Sequence, residues 1–76
     1  KMTDLEKLLK LIKDRPVNAE IGLYEKGLFE GDIVITINKT KSFFFDGKGR
    51  CTDFYLFGNA DNLEEAFEEL EKELAA

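Results

Sequence analysis

The sequence predicts an α+β fold: an antiparallel meander sheet of three or four strands, flanked by N-terminal and C-terminal helices that pack on one of its faces. The chain has 76 residues, which is the length of one small domain covering residues 1–76. With seven Phe, two Tyr and only one Pro, it is too hydrophobic for a disordered segment. Apolar residues recur with helical spacing at both ends and with the two-residue period of strands between them.

The first helix is predicted from Thr3 to Arg15, where apolar residues follow the i, i+3, i+4, i+7 spacing of one helical face. Thr3 and Glu6 have the spacing of a capping box, in which each side chain accepts a hydrogen bond from the other residue's backbone N–H. Pro16 ends the helix because it lacks an N–H and its ring clashes with the preceding turn. The predicted apolar face consists of Leu5, Leu8, Leu9 and Ile12.

After this helix the period of the apolar residues changes to two, which predicts strands. The predicted strands are residues 17–24, 33–38, 42–46 and 50–57. Turn-forming residues at 38–41 and 46–49 separate the last three strands, so these form a meander. Leu28 and Phe29 either extend the second strand backwards across a bulge at Gly31 or belong to a separate loop, and the sequence supports both.

A second helix is predicted near the end of the chain, where Asp61 and Glu64 have the spacing of another capping box. It extends to about Leu74, with an apolar stripe on one side. Together with the alternating strand positions, this stripe predicts a core on one face of the sheet. The predicted core is Leu5, Leu8, Leu9, Ile12, Ile21, Leu23, Ile33, Ile35, Ile37, Phe67, Leu70 and Leu74.

The residue types argue against catalysis and metal binding. The chain has no His and one Cys, so the common nucleophile–base pairs and the soft metal sites lack their components. We therefore expect no enzyme activity and no cofactor. Cys51 has no second cysteine for a disulfide and no signal peptide precedes the first amphipathic segment, so we expect a cytoplasmic location. No apolar run approaches the roughly 20 residues that span a bilayer, so we expect no membrane contact.

Negative charge is concentrated in the last helix. The chain carries 16 acidic and 11 basic residues, and seven of the acids lie in residues 59–76 beside a single base. Because an acidic surface repels phosphate, we expect no direct nucleic-acid binding and a protein partner with a basic surface. Two interpretations stay open: a solvated face that keeps the protein soluble, or a surface that imitates the charge of nucleic acid. The candidate residues are Glu64, Glu65, Glu68 and Glu69.

Aromatic residues provide a second candidate surface. Phe44 and Tyr55 belong to adjacent predicted strands, and strand alternation allows them to lie on the sheet face opposite the helices. If that face is uncovered, both residues anchor a contact with a target protein or with a second copy of the chain. Alternatively, the sheet twists and Phe44 tucks under a loop or a helix end.

The order of elements, with the start DLEKLLK at residues 4–10 and an acidic last helix, resembles small acidic phage-encoded inhibitor proteins, including some anti-CRISPR proteins. The resemblance covers the whole chain in size, element order and acidity. It implies a stoichiometric inhibitor that occupies the nucleic-acid site of a host nuclease or holds the nuclease inactive. It assigns no role to any single residue.

The sequence thus predicts a non-catalytic protein-binding module that inhibits a nucleic-acid-handling host protein. The predicted contacts are the acidic last helix and the aromatic patch on the sheet. The alternative is a homodimeric structural or adaptor protein, in which the uncovered sheet face forms the contact between the two copies.

Overall fold

The computed structural model describes residues 1–56 and 58–75, and it confirms the α+β fold. Two helices flank a four-stranded antiparallel sheet whose strands follow one another in chain order. The elements are α1 (Asp4–Ile12), β1 (Ala19–Leu23), β2 (Ile33–Ile37), β3 (Lys41–Phe45), β4 (Cys51–Leu56) and α2 (Leu63–Ala75). The predicted end of the fourth strand, Phe57, lies outside the described residues. Within the described residues, neither helix is long and apolar enough to cross a membrane.

The strand register decides which side chains face the helices. Ile35 lies opposite Phe43 in the β2–β3 pair, and Phe43 lies opposite Phe54 in the β3–β4 pair. Opposite residues share a face of the sheet, so the odd-numbered side chains of β1, β2 and β3 point toward the helices. In β4 the register shifts at Thr52, which lies opposite no residue of β3. Beyond this bulge the even-numbered residues Phe54 and Leu56 face the helices.

Helix α1 begins at the predicted capping box. The Thr3 hydroxyl accepts a hydrogen bond from the Glu6 N–H at 3.1 Å, and the Glu6 carboxylate accepts one from the Thr3 N–H at 2.8 Å. The helix ends at Ile12 rather than at the predicted Arg15. It stops early because the following turn includes Asp14, which has a left-handed backbone conformation with a φ of 60°.

The first turn of α1 is fastened to the hairpin between β3 and β4. The Asp4 carboxylate accepts a hydrogen bond from the Cys51 N–H at 2.9 Å, and the Leu5 N–H donates to the Gly49 carbonyl at 3.0 Å. Gly49 has a φ of 82°, and a Cβ there would lie 3.1 Å from the Thr3 hydroxyl oxygen, so this close approach favours glycine. Since α2 packs on β4 and α1 packs on α2, the helices lie toward the β4 side of the sheet.

The cap of α2 lies one residue later than predicted. The Asn62 side-chain oxygen accepts a hydrogen bond from the Glu65 N–H at 2.9 Å, and the Glu65 carboxylate accepts one from the Asp61 N–H at 3.1 Å. The capping residues are therefore Asn62 and Glu65, and the predicted pair of Asp61 and Glu64 is wrong. Asn and Asp are about equally good N-caps, so local sequence does not distinguish the two pairs.

The core lies between the helices and the three strands β2, β3 and β4. Phe43 and Phe45 are fully buried although they were not among the predicted core residues, because β3 is an inner strand whose helix-side residues share one cluster with Leu8 of α1 and Leu70 of α2. The sequence predicts a surface role for Phe44 and Tyr55 only, and none for Phe43 or Phe45. The buried core residues are Leu8, Ile35, Ile37, Phe43, Phe45, Leu56, Ala66 and Leu70.

Three predicted core residues are exposed instead. The exposed fraction is 43% for Leu9, 67% for Ile21 and 87% for Leu23. The register directs Ile21 and Leu23 to the helix side, but the helices do not extend over β1, and every residue of that strand is exposed. Leu9 lies at the rim of the α1 face because Leu8 and Leu11 pack inward. The prediction that Leu9, Ile21 and Leu23 belong to the core is therefore wrong.

Residues 24–32 form a loop, so Leu28 and Phe29 belong to this loop and do not extend the second strand. The Phe29 N–H donates a hydrogen bond to the Tyr24 hydroxyl at 3.3 Å, so the loop closes on itself. At Gly31 the φ is 143°, and a Cβ there would lie 2.8 Å from the Cβ of Phe44. The loop thus folds back across the sheet face opposite the helices.

Candidate protein-binding surfaces

Helix α2 is held by ion pairs on both of its flanks. On one flank, Arg15 Nη2 lies 3.1 Å from Glu71 Oε1, which joins α2 to the segment after α1. On the other flank, Lys41 Nζ lies 2.6 Å from Glu73 Oε1, which joins α2 to the start of β3. The charges of these two glutamates are therefore compensated within the chain.

Lys41 is a buried charge that the sequence analysis missed. Its side chain is 9% exposed, and Glu73 also accepts hydrogen bonds from Asn38 at 2.9 Å and Thr40 at 3.4 Å. The hydrogen bond from Lys41, followed in importance by that from Asn38, holds the pKa of Glu73 below its ordinary value of 4.5. Position 41 has the same parity as Phe43, so strand alternation places its side chain on the helix side once β3 is known to begin at Lys41 rather than at the predicted Ser42.

The four candidate glutamates of α2 differ in their surroundings. Glu64 and Glu68 are exposed, and neither makes a hydrogen bond or an ion pair with another described residue. Glu65 is half-buried and takes part in the cap of the helix, while Glu69 lies 3.1 Å from Lys72 on the same helix. The structure thus leaves two carboxylates available to a partner and engages the other two.

Glu64 and Glu68 border a groove of about 360 Å³ between α1 and α2. Glu71 also lines it, and its Oε2 atom is buried without a hydrogen-bond partner among the described residues. Asp4 and Lys7 complete the charged part of the lining, so carboxylates outnumber cations four to one. A groove that combines apolar surface with an excess of carboxylates suits a lysine or arginine side chain, which has an aliphatic stem and a cationic head. The apolar lining consists of Leu11, Leu63 and Phe67.

The loop of residues 24–32 covers Phe44. Phe29 stacks on Phe44 with the ring centroids 4.7 Å apart, and Tyr24 packs edge-on at 4.8 Å. Phe44 is 3% exposed as a result, so the expectation of an uncovered Phe44 is wrong and the alternative, in which it tucks under a loop, is confirmed. Tyr55 is 46% exposed, and its ring lies 5.8 Å from that of Phe29.

The acidic face of α2 and the aromatic patch lie on opposite sides of the sheet. Tyr55 is opposite Ser42 in the register, a position that faces away from the helices. One flat partner surface therefore cannot contact Tyr55 and the α2 glutamates together. The sequence predicts the aromatic patch on the sheet face opposite the helices, and the register agrees with this for Tyr55.

No protein family, curated protein or solved structure matches the chain. Within residues 1–56 and 58–75, no group of three or more His, Cys, Asp or Glu side chains could hold a metal ion. Burial raises the pKa of the Cys51 thiol to about 11, so this group stays protonated at neutral pH and is a poor nucleophile.

Proposed function

We propose that the chain is a non-catalytic module that binds a basic surface of a nucleic-acid-handling protein and thereby inhibits it. One observation carries this proposal. Glu64 and Glu68 make no ion pair beside a partly apolar groove that also contains Lys7, whereas Glu71 and Glu73 on the same helix are paired with cations of the chain itself.

The arrangement favours a binding role over a purely solubilising one. Glu64 and Glu68 are like charges at i, i+4, a spacing that destabilises a helix by about 0.2 to 0.5 kcal/mol. A face that served only solubility could mix both signs of charge without this cost. The groove also offers the apolar contact that charge steering alone does not supply.

Binding would proceed through long-range attraction followed by local insertion. The field of the uncompensated carboxylates speeds the encounter with a cationic surface, and this effect weakens with salt. A lysine or arginine of the partner then places its stem on Phe67 and Leu11 and its charge beside Glu64 and Glu68. Because surfaces that bind nucleic acid are rich in such residues, occupying one excludes the nucleic acid.

The alternative of a homodimeric structural or adaptor protein is less well supported at the sheet face. That contact was expected to use Phe44 as an anchor, and Phe44 is covered by Phe29. We therefore place the protein-binding role on the helix side of the molecule.

The test compares partner capture by the wild type with capture by the double variant Glu64→Gln, Glu68→Gln. A protein enriched by the wild type from the source cell is purified, and its affinity is measured between about 50 mM and about 300 mM salt. We expect the variant to bind roughly 2- to 30-fold more weakly at low salt, based on about 0.2 to 1 kcal/mol for each surface ion pair. Heparin should displace the wild type, and one equivalent of the chain should block the partner's binding of nucleic acid.

A matched control is the double variant Glu25→Gln, Glu30→Gln. It removes two exposed carboxylates outside α2 and so makes the net charge less negative by the same amount as the test variant. It should bind like the wild type. Equal affinities and equal salt dependence for all three proteins would refute the proposal.

A further inference from the structure

The outer edge of β1 carries unpaired backbone groups. β1 is the first strand in the sheet order, so only its β2 side has a neighbouring strand among the described residues. The Asn18 carbonyl accepts a hydrogen bond from the Asn38 N–H at 2.7 Å, and the Tyr24 N–H donates to the Asp32 carbonyl at 2.8 Å. The even-numbered residues therefore point their backbone groups toward β2, and the odd-numbered ones point away from it. The outward-pointing N–H and C=O groups are those of Ala19, Ile21 and Leu23.

The same edge is apolar. The side chains of Ile21 and Leu23 are 67% and 87% exposed, and they lie on the helix side of the sheet, beyond the helices. Edge strands commonly carry a lysine, a proline or a bulge that hinders pairing with another strand. The five residues of β1, Ala19–Leu23, have none of these.

The other edge of the sheet is different. On β4, the Cys51 N–H donates a hydrogen bond to the Asp4 carboxylate at 2.9 Å, and the Phe54 N–H donates to the Asp53 carboxylate at 3.0 Å. The bulge at Thr52 further interrupts that edge. The molecule thus obstructs pairing at β4 and leaves β1 open.

We propose that β1 pairs with the β1 strand of a second copy of the chain, antiparallel about a two-fold axis at Ile21, to form a continuous eight-stranded sheet. In this register Ile21 lies opposite its own symmetry mate and Ala19 lies opposite Leu23 of the second copy. Each of these pairs exchanges both backbone hydrogen bonds through its outward-pointing groups. The apolar side chains of both strands then form one stripe on the helix side of the joined sheet.

The charges of β1 select a second copy as the occupant. About the axis at Ile21, Glu20 lies opposite Gly22 of the second copy, so the single charge of the strand does not oppose its own mate. Nothing lies within 4 Å of the position that a Cβ on Gly22 would take, so there is room for the Glu20 side chain. A two-fold contact of this kind is self-complementary, as an isologous interface requires. This inference goes beyond the proposed function, since α2 packs at the β4 side and its acidic face is not used.

The first test uses charge at the axis. Ile21→Lys and Ile21→Glu each place like charges opposite one another across the axis, whereas an equimolar mixture places opposite charges there. For the wild type, light scattering across a dilution series should give twice the chain mass of 8.7 kDa at high concentration. Each single variant should give the monomer mass, because its dimer dissociation constant should be at least 10-fold higher than that of the wild type. The mixture should regain the dimer mass.

The matched control is Leu28→Lys, which introduces the same charge at an apolar side chain that is 92% exposed and outside β1. It should dimerise like the wild type. Circular dichroism checks that all variants are folded, which the exposure of Ile21 favours. A wild type that stays monomeric at every concentration, or an Ile21→Lys variant that keeps the dimer mass, would overturn the proposal.

Hydrogen exchange gives a second measurement that needs no substitution. In the dimer, the amides of Ala19, Ile21 and Leu23 should be protected, and dilution should remove this protection. The amides of Glu20 and Gly22, which point toward β2, should exchange at the same rate at all concentrations. Protection of neither set, or protection that does not depend on concentration, would contradict pairing between copies. If the edge instead accepts a strand of another protein, dilution of the chain alone would show only monomer.

Discussion

At the scale of single residues, the pair formed by Lys41 and Glu73 makes the stability of the fold depend on pH. The pKa of Glu73 is lowered, so its ionised form stabilises the folded state. This contribution is complete at pH values well above the ordinary 4.5 and is lost as the pH falls through the lowered pKa. We expect Glu73→Gln to reduce the free energy of unfolding at pH 7 by about 1 to 3 kcal/mol, because it leaves the Lys41 charge buried without compensation.

Urea unfolding at a series of pH values measures this effect. The wild type should lose stability steeply below pH 4.5, and Glu73→Gln should lose less over the same range. Glu68→Gln removes an exposed carboxylate and serves as the control, with stability close to that of the wild type. If Glu73→Gln has the stability of the wild type at pH 7 and loses it equally below pH 4.5, the ion pair does not contribute to the free energy of unfolding.

The thiol of Cys51 should be slow to react in the folded protein. Burial raises its pKa to about 11, and the thiol also donates to the Asp53 carbonyl at 3.1 Å. At pH 8 the reactive thiolate is therefore roughly 100-fold scarcer than for a thiol with the ordinary pKa of 9.0. A disulfide-exchange reagent should label the native chain far more slowly than the urea-unfolded chain. Equal rates in the two states would contradict this prediction.

At the scale of elements, the start of α2 can be assigned by two substitutions. Asn62→Ala should lower the free energy of unfolding by about 1 kcal/mol, because the Asn62 side chain accepts the Glu65 N–H. Asp61→Ala should lower the free energy of unfolding by only a few tenths of a kcal/mol, since Asp61 takes part in the cap through its backbone N–H, which alanine keeps. Thermal unfolding of the two variants compares them directly. A larger loss for Asp61→Ala would restore the capping pair that the sequence predicted.

The loop of residues 24–32 should stabilise the sheet through Phe29. The variant Phe29→Ala removes the ring that stacks on Phe44 and so exposes Phe44 to solvent. We expect it to lower the free energy of unfolding by about 2 kcal/mol. The control is Leu28→Ala in the same loop, at a side chain that is 92% exposed, with a change of less than about 0.5 kcal/mol. Urea unfolding gives both values. Similar losses for the two variants would mean that the loop does not act as a cover for Phe44.

At the scale of the whole molecule, local sequence patterns predicted the helices, the strands and their order. They did not predict which parts of the sheet the helices and the loop cover, because this depends on contacts between residues that are distant in sequence. Thr3 with Glu6 and the strand periods are local signals, and the structure confirms them. The exposure of Ile21 follows from where the helices lie, which is set by contacts between α1 and residues 49–51, distant in sequence. The burial of Phe44 likewise depends on the path of a loop that had no clear pattern. The burial of Lys41 was not predicted because the sequence assigns position 41 to a turn, whereas β3 begins at that residue.

The obstructed β4 edge also determines how far an assembly of these chains could extend. A sheet with two open edges can recruit further chains without end and grow into a filament, whereas one open edge allows a single closed pairing. Asp4 and Asp53 supply the carboxylates that occupy the β4 donors. The double variant Asp4→Ala, Asp53→Ala should therefore form species larger than two chains, visible by electron microscopy. If the double variant stays folded and its assemblies are no larger than those of the wild type, these two aspartates do not prevent further strand pairing at β4.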